Sequence, residues 1–422
     1  MPPSDRAASS GRPRFGRGFH TLFGASLIAA LGTGMHAAAL PLLVVQLTDD
    51  PVQLGLVVLF AELPWALVAL HAGALVDRLD RRRVMVWADA GRCLALVVLV
   101  GLVLTGQATV PRLAVVAFAL GVGQVFFDVA AQAAVPDLVP RDQRHLSVAN
   151  ARIAVAQSNG EDLAGPPLGS VLFGVWTVLP FAGNALTFAA SSALIASIPA
   201  GPAARERRPD RGPRLWAEIA EGVRWMRGSR VLLALAVTAG LGNVVLSAQF
   251  AMLVLLATEE LGLAEAGYGL LLAAAAVGGI AGSLLVTPAT RRWGPGSVLL
   301  GAKVVEGVAV LVLGSAGNVL VAAAMMAVGG GLMTAQKVVT ATLRQQIVPR
   351  RVFGRVLSAS RVVAMAGGPV GAGLGGVLAA ATTVRTPYLA GGAFLVLVAL
   401  LSCPVLSNRA LERAARSAED GK

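Results

Sequence analysis

The chain is 422 residues long, 56% hydrophobic and only 14% charged, with a mean hydropathy of +0.72 and a net charge of +12. Soluble domains carry about 25% charged residues, so this composition excludes an ordinary soluble domain. The positive charge does not denote nucleic-acid binding: Lys and Arg crowd the N-terminal tail and every second connection, while the other connections hold only Arg112 and Arg385. Membrane topology accounts for that pattern.

Residues 1–20 read as a cytoplasmic, Arg-bearing tail. The apolar run behind it is too long for a signal peptide and reads as a retained first helix. Apolar runs fall at 21–47, 53–76, 84–106, 113–135, 146–175 and 178–199, then at 231–257, 266–290, 297–316, 318–340, 352–381 and 386–407. Each is long enough to cross a hydrocarbon core of roughly 30 Å. No open sheet satisfies its backbone in lipid, so these are helices. The expected fold class is an all-α, multi-pass integral membrane protein of twelve transmembrane helices with both termini cytoplasmic, set by the basic alternate connections. Cys93 and Cys403 both fall within spans, so no disulfide framework is implied.

The expected organisation is an N-terminal six-helix bundle over 21–199, a linker over 200–230, a C-terminal bundle over 231–407 and a tail over 408–422. The linker opens as the Pro/Arg-rich "AGPAARERRPDRGPR" and continues as "LWAEIAEGVRWMRG", where Leu215, Ile219, Val223 and Met226 make a helical stripe. It reads as an amphipathic helix at the headgroups. Adding 209 superposes the halves: Gly73 falls on Gly282, Arg82 on Arg291, Pro140 on Pro349 and Arg152 on Arg361. Parallel six-helix repeats of this kind organise one large transporter class.

Between the second and third runs stands "HAGALVDRLDRRRVMVWADAGR", residues 71–92, a dense ionic knot in an oily chain. Gly73 permits close helix approach, Asp77 can cap a neighbouring helix N-terminus, and the arginines can bind carboxylates or lipid phosphate. Anchoring alone requires no acid, so Asp77 reads as part of a gate and Arg83 as a positive-inside anchor. In the fifth run, "GPPLGS" places Gly165, Pro166 and Gly169 where a proline kink and small residues let the helix flex against its neighbours. Gly371, Gly373 and Gly376 satisfy G-x-G-x-x-G, but no strand precedes them, so helix packing is the reading.

"GALVDRLDRRRV" resembles the loop signature of the major facilitator superfamily, Gly-x-x-x-Asp-Arg-x-Gly-Arg-Arg. Gly73, Asp77, Arg78, Arg81 and Arg82 fill it, with Asp80 where the family has Gly. "GPPLGS" resembles the superfamily's antiporter signature, with Ser170 for its last Gly. With "ANARIAVAQSNGEDLAGPPLG", the chain is similar to the drug:proton antiporter and transmembrane secretion effector branch, the exporter-like type of actinobacteria. The resemblance implies two pseudo-symmetric bundles that alternate access across the plasma membrane.

Ionisable residues inside spans are functional candidates by default, since each costs about 2.5–3.5 kcal/mol to insert. Glu62 and the Glu161–Asp162 pair fall near mid-depth, and the resemblance favours Glu161 as the proton carrier. Asp128 maps by the offset onto Lys337, which suggests a salt bridge between the halves. Asp89 and Arg92 are three apart on one helix face and read as a structural ion pair. His36 and His71 read as hydrogen-bonding residues, and no metal-ligand spacing, cofactor motif or catalytic constellation is present.

The expected function is secondary export of a small hydrophobic or amphipathic compound, a drug, antibiotic or metabolite, by proton antiport. The expected partners are that substrate, protons and the bilayer, with no nucleic acid, and the chain is expected to act as a monomer. The alternatives are an uptake carrier or a lipid flippase on the same fold and, from another class, a membrane-embedded enzyme or receptor.

Overall fold

A computed structural model describes residues 15–76, 78–140, 142–199, 215–348 and 352–413. Its regular structure over these residues is helical. The first half comprises α1 (Arg17–Leu47), α2 (Pro51–Leu67), α3 (Ala69–Val76), α4 (Arg81–Leu104), α5 (Val110–Leu138), α6 (Gln143–Ser158), α7 (Gly165–Val175) and α8 (Leu179–Ala196). After α9 (Leu215–Gly228), the second half comprises α10 (Arg230–Leu255), α11 (Glu265–Trp293), α12 (Pro295–Ser315), α13 (Val319–Ile347), α14 (Phe353–Ala381) and α15 (Thr386–Leu406). Ten helices among the described residues are long and apolar enough to cross a membrane. This is a multi-pass membrane protein.

Two expected spans are segmented. The run expected at 53–76 breaks at Val68 into α2 and α3. The run expected at 146–175 is α6, a π turn at Asn159–Ala164, and α7. The cause of the second break is chemical. Pro166 and Pro167 have no N–H to donate one turn back, and the backbone N–H of Gly165 instead reaches the carbonyl of Gly160, five residues away. A π turn thus stands where a proline kink was expected.

The connections fall on two faces. On one, Phe15 meets the ring of His145 edge-on at 6.1 Å, and Arg82 Nε donates to the carbonyl of Ile195 at 3.2 Å. There too Asn408 Nδ2 donates to the carbonyl of Trp293 at 2.8 Å. This is the basic face. On the far face Arg385 pairs with Glu260 at 2.8 Å and donates to the carbonyls of Gly314 and Ala316, tying three connections together. The basic-face turn into α12 needs a glycine: Gly294 has φ 82.

Each half is held by glycine-mediated crossings. In the first, α1 meets the π turn and α7 so closely that a Cβ on Gly34 would stand 2.6 Å from the carbonyl oxygen of Glu161. In the second, a Cβ on Gly371 would stand 2.0 Å from the carbonyl oxygen of Val244 of α10. The bounds of α5 and α13 stand 209 apart at both ends. Of the linker stripe, Met226 is buried and Val223 packs beside it; the side chains of Leu215 and Ile219 lie outside the described residues. Glu221 pairs with Arg355 at 2.5 Å, and Gly222 abuts the backbone of Arg355, so α9 docks on α14.

Candidate functional site

The halves meet at the far-face end and separate toward the basic face. Near the far face, α2 crosses α14: a Cβ on Gly55 would stand 2.7 Å from the carbonyl oxygen of Ala372, and one on Gly376 2.6 Å from that of Pro51. Beside this seam α7 crosses α11, where a Cβ on Gly269 would stand 2.6 Å from the hydroxyl of Ser170. No comparable packing joins α3 to α14 or α6 to α11. The result is a cleft between the halves, open at the basic face and sealed by small residues at the far end. Gly373 and Gly376 sit at the α2–α14 crossing, against Leu59 and Pro51, while Gly371 packs within the second half against Val244.

The intramembrane charges divide into a buried chain in the first half and groups facing the cleft. Arg92, 1% exposed, pairs closely with Asp89, 0% exposed, and donates to Gln124 Oε1. Its guanidinium carbon lies 4.0 Å from the Phe188 ring centroid and 4.8 Å from that of Phe127, a desolvated setting in which cation–π attraction is strong. Gln124 Nε2 donates onward to Asp128 at 2.9 Å, and Gln157 Nε2 donates to the other Asp128 oxygen at 3.2 Å. The chain therefore runs from α4 through α5 to α6.

The expected Asp128–Lys337 salt bridge is absent: the glutamines take both oxygens of Asp128. The two helices carrying those charges do not pack together, because the halves are apart at this depth. Lys337 is exposed on α13 and within electrostatic range of Asp162. Glu161 and Asp162 ride on the π turn, to the basic side of the α7–α11 seal at Ser170. Glu62 Oε2 approaches Gly368 of α14, across the seam between the halves.

The ionic knot is mostly a staple. Arg81 pairs with Asp137 at 2.9 Å and donates to the carbonyl of Ala133, binding α4 to the end of α5. Arg82 donates to the carbonyls of Ile195 and Ala196 at the C-terminus of α8, where a cation meets the negative end of the helix. Asp80 replaces the family's turn glycine without strain: at φ −67 it caps α4, accepting from the backbone N–H groups of Arg82 and Arg83. Arg78 is exposed, and Asp77 lies outside the described residues. Gly73 does not serve the close approach expected of it, since a Cβ there would meet nothing within 4 Å, whereas its repeat mate Gly282 abuts Gly331. No helix crosses α3 at that point in this open arrangement. Gly165 and Gly169 do mediate close approach, to Gly34 and Met35 of α1, and Pro166 stands in the first turn of α7.

One feature was not anticipated. In the second half, Lys303 of α12 pairs with Glu306 at 3.0 Å, and Gln336 of α13 donates to the same carboxylate at 2.8 Å. This repeats the first half's device, an i,i+3 pair on the third span answered by a glutamine on the fourth, with the charges reversed. The spacing was visible in the sequence; the pair falls off the 209 register, which hid the parallel. Among the described residues no cluster of potential metal ligands occurs.

Comparison with known proteins agrees with this architecture. The multidrug efflux pump Tap of Mycolicibacterium fortuitum is 27% identical over 404 residues, covering 93% of this chain and 96% of that protein. Macrolide efflux protein A of Streptococcus pyogenes is 24% identical over 217 residues, covering 51% of this chain and 53% of that one. The crystal structure of the nucleoside transporter NupG superposes with a TM-score of 0.75 at 11% identity, covering 93% of this chain and 100% of that one, a likeness of fold alone. The family described as transmembrane secretion effector matches residues 9–419. Two halves joined at one end around a cleft, together with that match, place the chain in the transmembrane secretion effector family of major facilitator transporters.

Proposed function

We propose that the chain is a proton-coupled exporter of a small hydrophobic or amphipathic compound, working by alternating access through twelve spans with both termini cytoplasmic. The two segmented rods, α2–α3 and α6–α7, complete the twelve alongside the ten long helices. The basic face is then the cytoplasmic one, and the cleft described above is an inward-open state. The names of the relatives, a multidrug pump and a macrolide efflux protein, support export of drug-like compounds.

The observation that carries the proposal is the position of Glu161 and Asp162, on the π turn where the sealed region gives way to the cleft. A carboxylate there must cross an apolar constriction whenever the seal changes ends, and it does so at least cost when protonated. A substrate and a proton competing for Glu161 yield exchange. One proton crossing 100 mV contributes about 2.3 kcal/mol, before any pH gradient is added.

The experiment is substrate-induced proton release from purified protein, paired with accumulation of a fluorescent substrate in cells with and without a protonophore. Glu161→Gln keeps the side-chain volume and mimics the protonated form. It is expected to abolish proton release and driven efflux while the protein stays folded. If Glu161→Gln pumps normally and Glu62→Gln does not, the carrier is on α2. Normal activity of Glu161→Gln, Asp162→Asn and Glu62→Gln together leaves a uniporter or flippase as the better description.

A further inference from the structure

A groove of about 790 Å³ lies on the outer wall of the first half, between α4 and α5. Arg83, Trp87 and Gly91, four residues apart, form one stripe of its α4 side, with Ala88 beside them. Phe118 and Gly123 belong to the α5 side. Trp87 is 75% exposed, and a Cβ at Gly91 would meet nothing within 4 Å, so this stretch is shallow and open. From Arg83 to Gly91, eight steps along the helix, α4 rises about 12 Å. That is under half of a hydrocarbon core of roughly 30 Å, so the groove belongs to the basic-face leaflet alone.

Arg83 stands at the groove's basic-face end. Arg81 and Arg82 spend their guanidinium groups on helix carbonyls and Asp137, but Arg83 does not. Its side chain is 81% exposed, and among the described residues its acidic partner is Asp80, a long i,i+3 pair at 3.9 Å with a residue that also caps α4. Among the described residues its guanidinium donates no hydrogen bond. An apolar trough one leaflet deep, with an open guanidinium at headgroup level and a tryptophan below it, matches an amphiphile that carries both an acyl chain and a phosphate. A soluble anion has no use for the trough, and a neutral hydrocarbon has none for the arginine.

We propose that this groove binds an anionic phospholipid of the basic-face leaflet, with one acyl chain between α4 and α5 and the phosphate on Arg83. Guanidinium binds phosphate oxygens in pairs, which makes Arg83 a specific contact and more than a diffuse anchor. The site is independent of what the protein exports. Its floor also touches the buried polar chain: a Cβ on Gly123 would stand 2.5 Å from Arg92 Cγ.

The test reconstitutes the full chain in phosphatidylcholine vesicles containing a small fraction of brominated phosphatidylglycerol or, in parallel, brominated phosphatidylcholine. Bromine quenches nearby tryptophan, and the Trp87 signal is the wild-type emission minus that of Trp87→Phe. Brominated phosphatidylglycerol is expected to quench Trp87 at a lower mole fraction than the zwitterionic lipid. Arg83→Gln should cut that preference about fivefold, the effect of one basic residue at an anionic surface. Ala88→Leu, which fills the trough and leaves Arg83 intact, should reduce quenching by both lipids. Equal quenching by the two lipids in wild type overturns the proposal, as does a preference that survives Arg83→Gln. A preference that survives Ala88→Leu at full strength also overturns it, because the lipid would then be held at the surface by charge alone.

Discussion

Arg92 and Lys303 are fixed by what surrounds them more than by where they stand in the chain. Each belongs to an i,i+3 ion pair on the third span of its half, and each pair meets a glutamine of the fourth span. Inside a low-dielectric core, losing one partner leaves an uncompensated charge, while removing both leaves no buried charge. Lys303→Met is therefore expected to destabilise the second half by about 3–5 kcal/mol, because Glu306 is only 9% exposed. Lys303→Met combined with Glu306→Leu should recover most of that loss. Thermal unfolding of the detergent-purified protein decides it: a double variant no more stable than the single would remove the ion pair as the cause. In the sequence, Asp89 and Arg92 were legible as a pair from their spacing. Gln124 and Gln157 were not, because a polar residue on another helix acquires its role only when the helices pack.

At the scale of elements, the far-face seal is built from backbone approaching backbone. Gly376 lies so near Pro51 and Val52 that a side chain there has no flexible neighbour to displace. Gly376→Leu should part α2 from α14 at that end and favour the opposite, far-face-open state. A single cysteine replacing Leu59, which packs at Gly373, reports the change in a background lacking Cys93 and Cys403. Labelling by an impermeant reagent from the far face should accelerate about tenfold, the effect of a 1.4 kcal/mol bias. Unchanged labelling would mean that the seam is not the seal. Gly373 and Gly376 were legible as packing residues because their G-x-G-x-x-G run stands inside an apolar span with no strand before it. Their partners were not, since several helices of a bundle present equally small faces.

For the whole molecule, the open basic face sets the expectation for Asp77. The arginines beside it staple α4 to α5 and α8 within one half, so they are not what joins the halves at that face. If Asp77 engages the start of α14 when the basic face closes, Asp77→Asn should enlarge the population open at the basic face. Cysteine accessibility from the basic face should rise and transport should fall. A well-expressed Asp77→Asn protein with unchanged accessibility and transport would reduce the motif to an anchor. If the close approach expected at Gly73 is made only when the basic face closes, a cysteine at Gly73 should become less accessible in that state; here nothing crosses it.

Hydropathy and the bias of basic residues determined by themselves that the chain is a helical, multi-pass membrane protein, while the superfamily was legible only through the resemblance of residues 73–84 and 165–170 to its signatures. Hydropathy and charge do so because the bilayer constrains length, polarity and charge residue by residue, without reference to any neighbour. Even the helix break at Pro166–Pro167 was written locally, in missing N–H groups, although its form as a π turn was not. Only the tertiary structure decided which end of the cleft is sealed, that Asp128 bonds to glutamines instead of Lys337, and that Arg81 and Arg82 serve their own half. Those outcomes depend on distances between helices far apart in the chain. A transporter that exchanges two packings must keep such distances nearly balanced in energy, so no short stretch of sequence can encode one of them alone.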